Sequence, residues 1–300
     1  MTRTSADATD NDAGLAPGAG LAPRRILLIR LSSLGDVLHA VPVAEALGAR
    51  YPSAELIALT DRRFASLWSG VPAVAATWTI DAKGLGRGRR SAWSGLASLL
   101  DRLVRTPIDL TVDLQSYFET GVLTALTGAP ARVARRAKTA GLWYTSYLPT
   151  RVDPDRLMSE QYAESLRRSG WLPSSAAQDP LPPLSLRPPA SAFAEVEPWL
   201  EAHRDVQDGR TLAVFAGASS ADKIWPPAAV AEAGCRAIEA GLVARVLLLE
   251  GPREQSLNDE IEGRLRSAGQ PVVRSPLWKP VPFVAALQRI GPRAVLAGDT

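Results

Sequence analysis

Cysteine and histidine are almost absent from this chain of 300 residues. Its one cysteine, Cys235, excludes an internal disulfide framework and fits a reducing compartment. The residues around Cys235 are typical of a helix, so a packed thiol is favoured over a nucleophile. The two histidines, His39 and His203, lie far apart along the chain. Because a zinc site needs several such ligands together, the sequence predicts no metal site.

Long apolar runs and a strong net charge are also missing. No window of about eighteen residues is apolar and free of charge, so the sequence predicts no membrane-spanning helix. The first 23 residues lack the basic start and long apolar core of a signal peptide, and they predict a disordered tail. Lys and Arg total 34 against 31 Asp and Glu, a balance that does not favour nucleic acid as a partner. We expect a cytoplasmic protein.

Apolar runs alternate with helical patterns along the chain. Before residue 180 the sequence predicts strands at 26–29, 55–59, 74–80 and 108–114, with helices between them. Strands that alternate with helices are typical of a mostly parallel α/β sheet. The first predicted helix, at residues 36–50, contains Pro42, which can kink it.

A proline-rich stretch separates this first pattern from a second one. Five of the twelve residues from 179 to 190 are proline, and such a stretch continues neither a helix nor a central strand. We predict a first domain at 24–180, a linker at 181–190 and a second domain at 191–300. In the second domain, strands are predicted at 211–215, 245–249 and 294–297. The last of these has no helix after it to cover it, so we favour a truncated second domain over an unusually small one.

Three predicted strand ends carry turns rich in serine and glycine, at residues 32–36, 217–223 and 298–300. Ligands of parallel sheets bind at the carboxyl ends of the strands, and backbone N–H groups in such turns approach a phosphate closely. Asp36 lies where a helix begins, as a helix cap or as the base of a reaction on an anionic substrate. Lys223 adds a positive charge suited to a diphosphate. Each turn alone also fits an ordinary strand-to-helix connection.

Common cofactor signatures are absent from these turns. No Gly-x-Gly-x-x-Gly follows the first predicted strand, which disfavours a nicotinamide cofactor, and no Walker pattern is present. We therefore expect no bound cofactor. Taken together, turns of this kind in two domains suggest a site for a nucleotide-linked substrate.

Four blocks of the sequence resemble the heptosyltransferases of glycosyltransferase family 9, which build the inner core of lipopolysaccharide. The blocks are ILLIRLSSLGDVLH at 26–39, IDLTVDLQ at 108–115, FAGASSADKIWP at 215–226 and AGDT at 297–300. The first block is the most specific and is similar to that of the members that add the first heptose to a Kdo sugar. The resemblance implies a GT-B fold, with two Rossmann-like domains facing a cleft. It also implies an inverting, metal-independent transfer of heptose from ADP-heptose to Kdo–lipid A.

The resemblance also assigns roles to individual residues. Asp36 matches the catalytic base of the family. The residues that match donor-binding positions are Ser219, Ser220, Lys223, Glu254, Asp299 and Thr300. The match of Glu254 to a glutamate that contacts the nucleoside is loose. Asp299 and Thr300 begin a motif, Asp-[Ser/Thr]-Gly-x-x-His, whose Gly and His do not follow in this sequence.

Residues that contact the acceptor are expected in the first domain. They are Ser32, Ser33, Gly35, Arg87, Arg89 and Arg90. The three arginines suit an anionic acceptor because guanidinium groups bind carboxylates and phosphates bidentately, although a solvated loop fits them equally. A second basic cluster, with the same two interpretations, comprises Arg132, Arg135, Arg136 and Lys138. Such clusters can also hold a protein on an anionic leaflet of the inner membrane.

Two other functions stay open from the sequence. One is a family 9 transferase that uses another nucleotide sugar or another acceptor glycan. The other is a catalytically silent nucleotide-binding module, which the missing Gly and His favour and the presence of Asp36 and Lys223 disfavours.

Overall fold

The computed structural model describes residues 22–82, 84, 87–88, 90–135, 142–147, 156–174, 180–218 and 220–298, with the backbone alone for Ala221. The chain divides into two compact units between Ser185 and Leu186, within the proline-rich stretch. Of the tail expected at residues 1–23, all but the last two residues lie outside the described part.

The first unit contains a six-stranded parallel sheet. Its strands are β1 (Arg25–Ile29), β2 (Glu55–Asp61), β3 (Ala76–Ile80), β4 (Leu110–Asp113), β5 (Ala131–Ala134) and β6 (Ser146–Tyr147). Its helices are α1 (Leu34–Arg50), α2 (Ala65–Trp68), α3 (Arg90–Arg105), α4 (Phe118–Leu126) and α5 (Met158–Arg168). The strand order is β3-β2-β1-β4-β5-β6. The chain therefore changes direction across the sheet between β1 and β4, and this is the point where open α/β sheets bind ligands.

Strand β1 forms the centre of this unit. Leu27, Leu28 and Ile29 have no exposed surface, as expected for a parallel strand whose two faces are both covered. Helix α1 then begins at Leu34, two residues earlier than predicted, with Ser33 as its N-cap. The helix continues through Pro42 to Arg50. The short turn between β1 and α1 is thus fixed at both ends by well-packed elements.

The second unit contains a four-stranded parallel sheet. Its strands are β7 (Thr211–Phe215), β8 (Arg245–Leu248), β9 (Val272–Arg274) and β10 (Ala294–Ala297). Its helices are α6 (Ala190–Ala202), α7 (Pro227–Glu239), α8 (Gln255–Ser267) and α9 (Pro280–Ile290). The order is β10-β7-β8-β9, so here the direction changes between β7 and β10.

Two parallel sheets with helices confirm the predicted α/β class. Cys235 lies in α7 and packs against the core of the second unit. β10 is an edge strand on which Val295 is 57% exposed. Incompleteness of the second domain stays a prediction. In the described part of the chain, no helix combines the length and apolarity needed to cross a bilayer.

Candidate active site

The carboxylate of Asp36 lies at the carboxyl end of β1, where the first sheet changes direction. Its Oδ2 atom forms an ion pair with Nη2 of Arg30 at 2.5 Å. The same oxygen accepts hydrogen bonds from the backbone N–H of Ser33 at 3.0 Å and from the Ser33 hydroxyl at 3.1 Å. Asp36 is therefore the N3 residue of a capping box at the start of α1, with Ser33 as the N-cap. Because these contacts all meet at Oδ2, they leave the other oxygen largely free.

Among the described residues, that other oxygen, Oδ1, has one contact of hydrogen-bond type. The hydroxyl of Tyr162, on α5, donates to it at 3.4 Å, which is long for an O–H···O bond. The side chain of Asp36 is 30% exposed. One oxygen of the carboxylate is thus held by Arg30 and Ser33, while the second can accept a further proton donor from solvent or from a ligand.

The surroundings of Asp36 favour its ionised form. Partial burial alone would raise the pKa of the carboxyl group, but the hydrogen bonds from Ser33 and the positive charge of Arg30 outweigh it. The net result is a pKa below the ordinary aspartate value of 3.8. Arg30 itself is only 6% exposed, so its charge is poorly screened by water. At neutral pH the carboxylate is ionised and ready to accept a proton.

Gln115 fixes the turn that precedes Asp36. Its side-chain oxygen accepts hydrogen bonds from the backbone N–H groups of Leu31 and Ser32, at 3.0 and 3.2 Å. Gln115 follows β4 and is itself oriented by Asp113, whose Oδ1 accepts from the Gln115 N–H at 2.9 Å. The hydroxyl of Tyr144 donates to the other oxygen of Asp113 at 2.6 Å. Burial raises the pKa of Asp113, and the hydrogen bonds that it accepts oppose this shift. These polar groups form a buried support for the turn.

The predicted acceptor residues fall into two places. Ser32, Ser33 and Gly35 lie in the turn with Asp36, and both Ser33 and Gly35 are exposed. Arg87 and Arg90 are also exposed, and Arg90 begins α3. Within the described residues, the structure gives no contact between these arginines and the turn. Outside the described residues lie Arg89, Arg136 and Lys138.

In the second unit, a buried carboxylate lies between two glycine turns. Glu254 is 6% exposed and follows β8. A Cβ atom built on Gly217 would lie 2.6 Å from Cγ of Glu254, and one built on Gly251 would lie 2.7 Å from its Cδ. The backbone N–H of Arg253 donates to Oε2 of Glu254 at 2.8 Å. Glycine at both positions is therefore required for the glutamate to reach the ends of β7 and β8.

The turn after β10 meets the turn after β7. A Cβ built on Gly298 would lie 3.2 Å from the carbonyl oxygen of Gly217 and 3.4 Å from that of Lys223. Ser220 and Lys223 are exposed on this edge, next to a short 3-10 helix at Ala221–Lys223. The structure thus brings together the turns at 217–223, at 251–254 and at Gly298. The predicted site residues Ser219, Asp299 and Thr300 lie outside the described residues.

The packing of Glu254 gives a direct stability test. Replacing Gly217 with alanine should lower the free energy of unfolding by about 1–3 kcal/mol, since the new methyl group overlaps the buried glutamate. Replacing Gly263, in α8, should instead stabilise the protein by about 0.5–1 kcal/mol, because Gly is unfavourable inside a helix. An added methyl there meets nothing within 4 Å. Urea melts of both variants check this expectation, and equal effects would show that Glu254 does not occupy the space between the turns.

Arg30 and Tyr162, whose side chains both contact Asp36 directly, were not identified as site residues from the sequence. Arg30 directly follows β1, and a charged residue immediately after a buried strand is the signal that points to it. Tyr162 is separated from Asp36 by 126 residues, and nothing in its local pattern links the two.

Within the described residues, no group of three or more His, Cys, Asp or Glu side chains has the arrangement of a metal site.

Comparison with known proteins finds both related sequences and similar solved structures. No family model matches it. The lipopolysaccharide core heptosyltransferase OpsX of Haemophilus influenzae is 25% identical over 103 residues, which is 34% of this chain and 27% of the relative. Lipopolysaccharide heptosyltransferase 1 of Pseudomonas aeruginosa is 28% identical over 109 residues, 35% of this chain and 30% of the relative. The matched segment thus spans less than a third of either relative.

Solved structures match over most of the chain. A glycosyl transferase family 9 protein from Veillonella parvula has a TM-score of 0.72 at 19% identity, and the match covers 91% of this chain and 74% of the other. The ADP-heptose lipopolysaccharide heptosyltransferase II of Escherichia coli gives 0.67 at 19% identity, with 92% and 79% covered. The heptosyltransferase WaaC of E. coli, solved with ADP, gives 0.62 at 20% identity, with 92% and 81% covered.

These likenesses define the class of the fold, which is that of the GT-B glycosyltransferases. The predicted fold class is therefore confirmed. The resemblance of the chain to the lipopolysaccharide heptosyltransferases of glycosyltransferase family 9 is confirmed as well.

Proposed function

We propose that the protein is an inverting, metal-independent glycosyltransferase that moves heptose from ADP-heptose to the Kdo–lipid A inner core of lipopolysaccharide. The observation that carries this proposal is the geometry of Asp36, whose Oδ2 is held by Arg30 and Ser33 while Oδ1 is left able to accept a proton. The turn that contains it belongs to the sequence block with the most specific resemblance to the family.

In the proposed reaction Asp36 acts as general base. A hydroxyl group of the acceptor sugar attacks the anomeric carbon of the heptose from the face opposite the leaving group. As the new C–O bond forms, the hydroxyl proton passes to Oδ1 of Asp36, and the bond to the diphosphate breaks with its electron pair leaving on ADP. The buried Gln115 contributes by fixing the backbone on which the carboxylate is mounted.

The donor is proposed to bind at the converging turns of the second unit. Glu254, held between Gly217 and Gly251, is suited to accept hydrogen bonds from hydroxyl groups of the nucleoside. Lys223 and Ser220 lie on the same edge, where a positive charge and hydroxyl groups can stabilise the charge that develops on the diphosphate. Ser219, Asp299 and Thr300 are proposed for the same site from the resemblance alone.

The acceptor is proposed to bind beside Asp36. Ser32, Ser33 and Gly35 border the carboxylate in the turn. Arg87, Arg89 and Arg90 are proposed to bind the anionic groups of a lipid-linked sugar, since arginine suits carboxylate and phosphate. A cytoplasmic location with contact to the inner face of the inner membrane follows from that choice of acceptor and is part of the proposal.

The relative affinities for several nucleotides and nucleotide sugars test the choice of donor. Titration calorimetry with ADP-heptose, ADP, UDP-glucose and GDP-mannose should show micromolar to millimolar binding for the two adenosine ligands and at least tenfold weaker binding for the others. Tighter binding of UDP-glucose or GDP-mannose would indicate that the protein uses another nucleotide sugar as donor instead of ADP-heptose. ADP binding without any transfer to an acceptor would favour a nucleotide-binding module.

The pH dependence of transfer tests the state of the base. Because the pKa of Asp36 lies below 3.8, its ionised form persists as the pH falls from 8 to about 5, and this group should leave kcat unchanged over that range. The variant Arg30→Met removes the neighbouring positive charge and should raise the pKa of Asp36, because less then compensates for the effect of burial on ionisation. The acidic limb of the kcat profile should therefore move to higher pH. A limb that stays at the same pH in Arg30→Met would show that another group controls it.

A further inference from the structure

The aromatic ring of Tyr162 occupies an unusual position in the first unit. Tyr162 lies on α5, which packs against α1, and its side chain has no exposed surface. The guanidinium groups of Arg30 and Arg135 both lie over its ring, each with Cζ 5.6 Å from the ring centroid. Arg30 comes from the end of β1 and Arg135 from the end of β5, so three separate elements converge on this one ring.

The two arginines have few other partners. Nη1 of Arg30 donates to the carbonyl oxygen of Leu114 at 3.0 Å, and Nη2 pairs with Asp36. Among the described residues, the side chain of Arg135 has one hydrogen bond, from Nη1 to the sulfur of Met158 at 3.3 Å. In both arginines Nε is buried without an acceptor. A cation in such surroundings is stabilised by the face of an aromatic ring, so each arginine restrains the ring on which it lies.

A restrained ring has a fixed hydroxyl group. The Tyr162 hydroxyl is aimed at Oδ1 of Asp36, at 3.4 Å. Oδ1 is the oxygen that Arg30 and Ser33 leave unoccupied, and it has two lone pairs. A hydroxyl donor on one lone pair fixes the rotation of the carboxylate about its terminal bond and leaves the second lone pair for an incoming proton. Hydrogen bonds of catalytic groups are often long without substrate and shorten when it binds.

We propose that Tyr162 is a positioning residue for Asp36, held by Arg30 and Arg135 so that its hydroxyl orients Oδ1 toward the acceptor. This inference rests on the proposed function, because it assigns Tyr162 to the same base. Tyr162 itself neither gains nor loses a proton. Among the described residues, the charged and titratable groups that contact the Asp36 carboxylate are Arg30 at the end of β1 and Tyr162 on α5, and Arg135 lies across the ring at the end of β5.

The variant Tyr162→Phe removes the hydroxyl and keeps the ring between the helices and arginines. In the free protein, carboxyl-carbon NMR should show the pKa of Asp36 raised relative to the unaltered protein, because a hydrogen-bond donor to the ionised form is lost. In transfer assays kcat should fall about five- to twentyfold, since the base is less well oriented. KM for the donor should stay within twofold. An unchanged pKa together with an unchanged kcat would overturn the proposal.

A matched control is available in Tyr51→Phe. Tyr51 is a partly buried tyrosine that follows α1 at the end opposite Asp36, and its hydroxyl donates to the carbonyl oxygen of Trp171 at 3.0 Å. Removing that hydroxyl should lower the melting temperature and leave the pKa of Asp36 where it was. A similar shift of that pKa in both variants would show a general loosening of the fold, and the proposal would fail.

The variant Arg135→Met separates the restraint of the ring from the hydroxyl itself. It should lower kcat in the same direction as Tyr162→Phe but by a smaller factor, and the double variant should be no worse than Tyr162→Phe alone. Fully multiplicative losses would show that Arg135 acts independently of Tyr162 and would contradict the proposed arrangement. NMR reports the pKa of Asp36 without any turnover. Absence of heptose transfer by the unaltered protein would therefore refute the proposed function. The contact between Tyr162 and Asp36 would still be tested by the titration.

Discussion

Replacing Asp36 with alanine should lower kcat for heptose transfer by about 10²- to 10⁴-fold, the usual size of a general-base effect. Without the carboxylate, nothing in the turn takes the proton from the attacking hydroxyl. Binding of ADP should change less than twofold, because the proposed donor residues lie in the other unit. Steady-state kinetics and calorimetry measure the two quantities separately.

The controls for this variant separate the two roles of Asp36, as base and as helix cap. Asp36→Asn keeps the shape and an oxygen for the Ser33 N–H but removes the basicity, so its kcat should fall about as far as that of Asp36→Ala while its melting temperature falls less. Ser33→Ala removes the hydroxyl contact to Oδ2 and leaves the carboxylate in place, so it alters the helix cap without removing the base. Near-normal turnover in Asp36→Asn would refute the assignment as base and leave Asp36 as a cap.

Replacing Lys223 with alanine should weaken binding of ADP by about ten- to a hundredfold while binding of adenosine changes little. The ammonium group is proposed to contact the diphosphate, and a charge-assisted hydrogen bond contributes about 1.5–3 kcal/mol. Adenosine lacks the phosphates, so it should not sense the substitution. Calorimetric titration of both ligands measures the difference.

Lys279 provides the matched control for Lys223. It is also exposed and lies in the second unit, as the N-cap of α9. Lys279→Ala removes the same charge from the unit, so equal losses of ADP affinity in the two variants would indicate a long-range effect of net charge. Equal loss of ADP and adenosine binding in Lys223→Ala would place this lysine away from the diphosphate.

The sequence predicted those elements that have a distinctive local pattern. The strands at 211–215 and 294–297 were predicted to the residue, because each is a short, mostly apolar run with glycine or polar residues near both ends. Helices α5 and α8 were missed. Their sequences are rich in charge, and their positions depend on packing against other elements, which no local pattern records.

The same division applies to the candidate site. The turn around Asp36 was visible because strand, turn and helix follow one another along the chain. No comparable sequence pattern indicated which other residues contact this turn. Tyr162 and Gln115 reach the turn from other elements, since β4 pairs directly with β1 and α5 packs on α1. Such contacts are set by the strand order of the sheet, and a single sequence gives no direct signal of which side chains a given order brings together.

Asp36 is proposed to activate an acceptor hydroxyl for attack on ADP-heptose. The most direct measurement is mass spectrometry of Kdo–lipid A incubated with ADP-heptose and the protein, with release of ADP quantified in the same reaction. We expect the acceptor to gain one heptose for each ADP released, at a rate that falls at least a hundredfold in Asp36→Asn. ADP release without heptose on the acceptor, or equal product from the Asp36→Asn variant, would contradict the account.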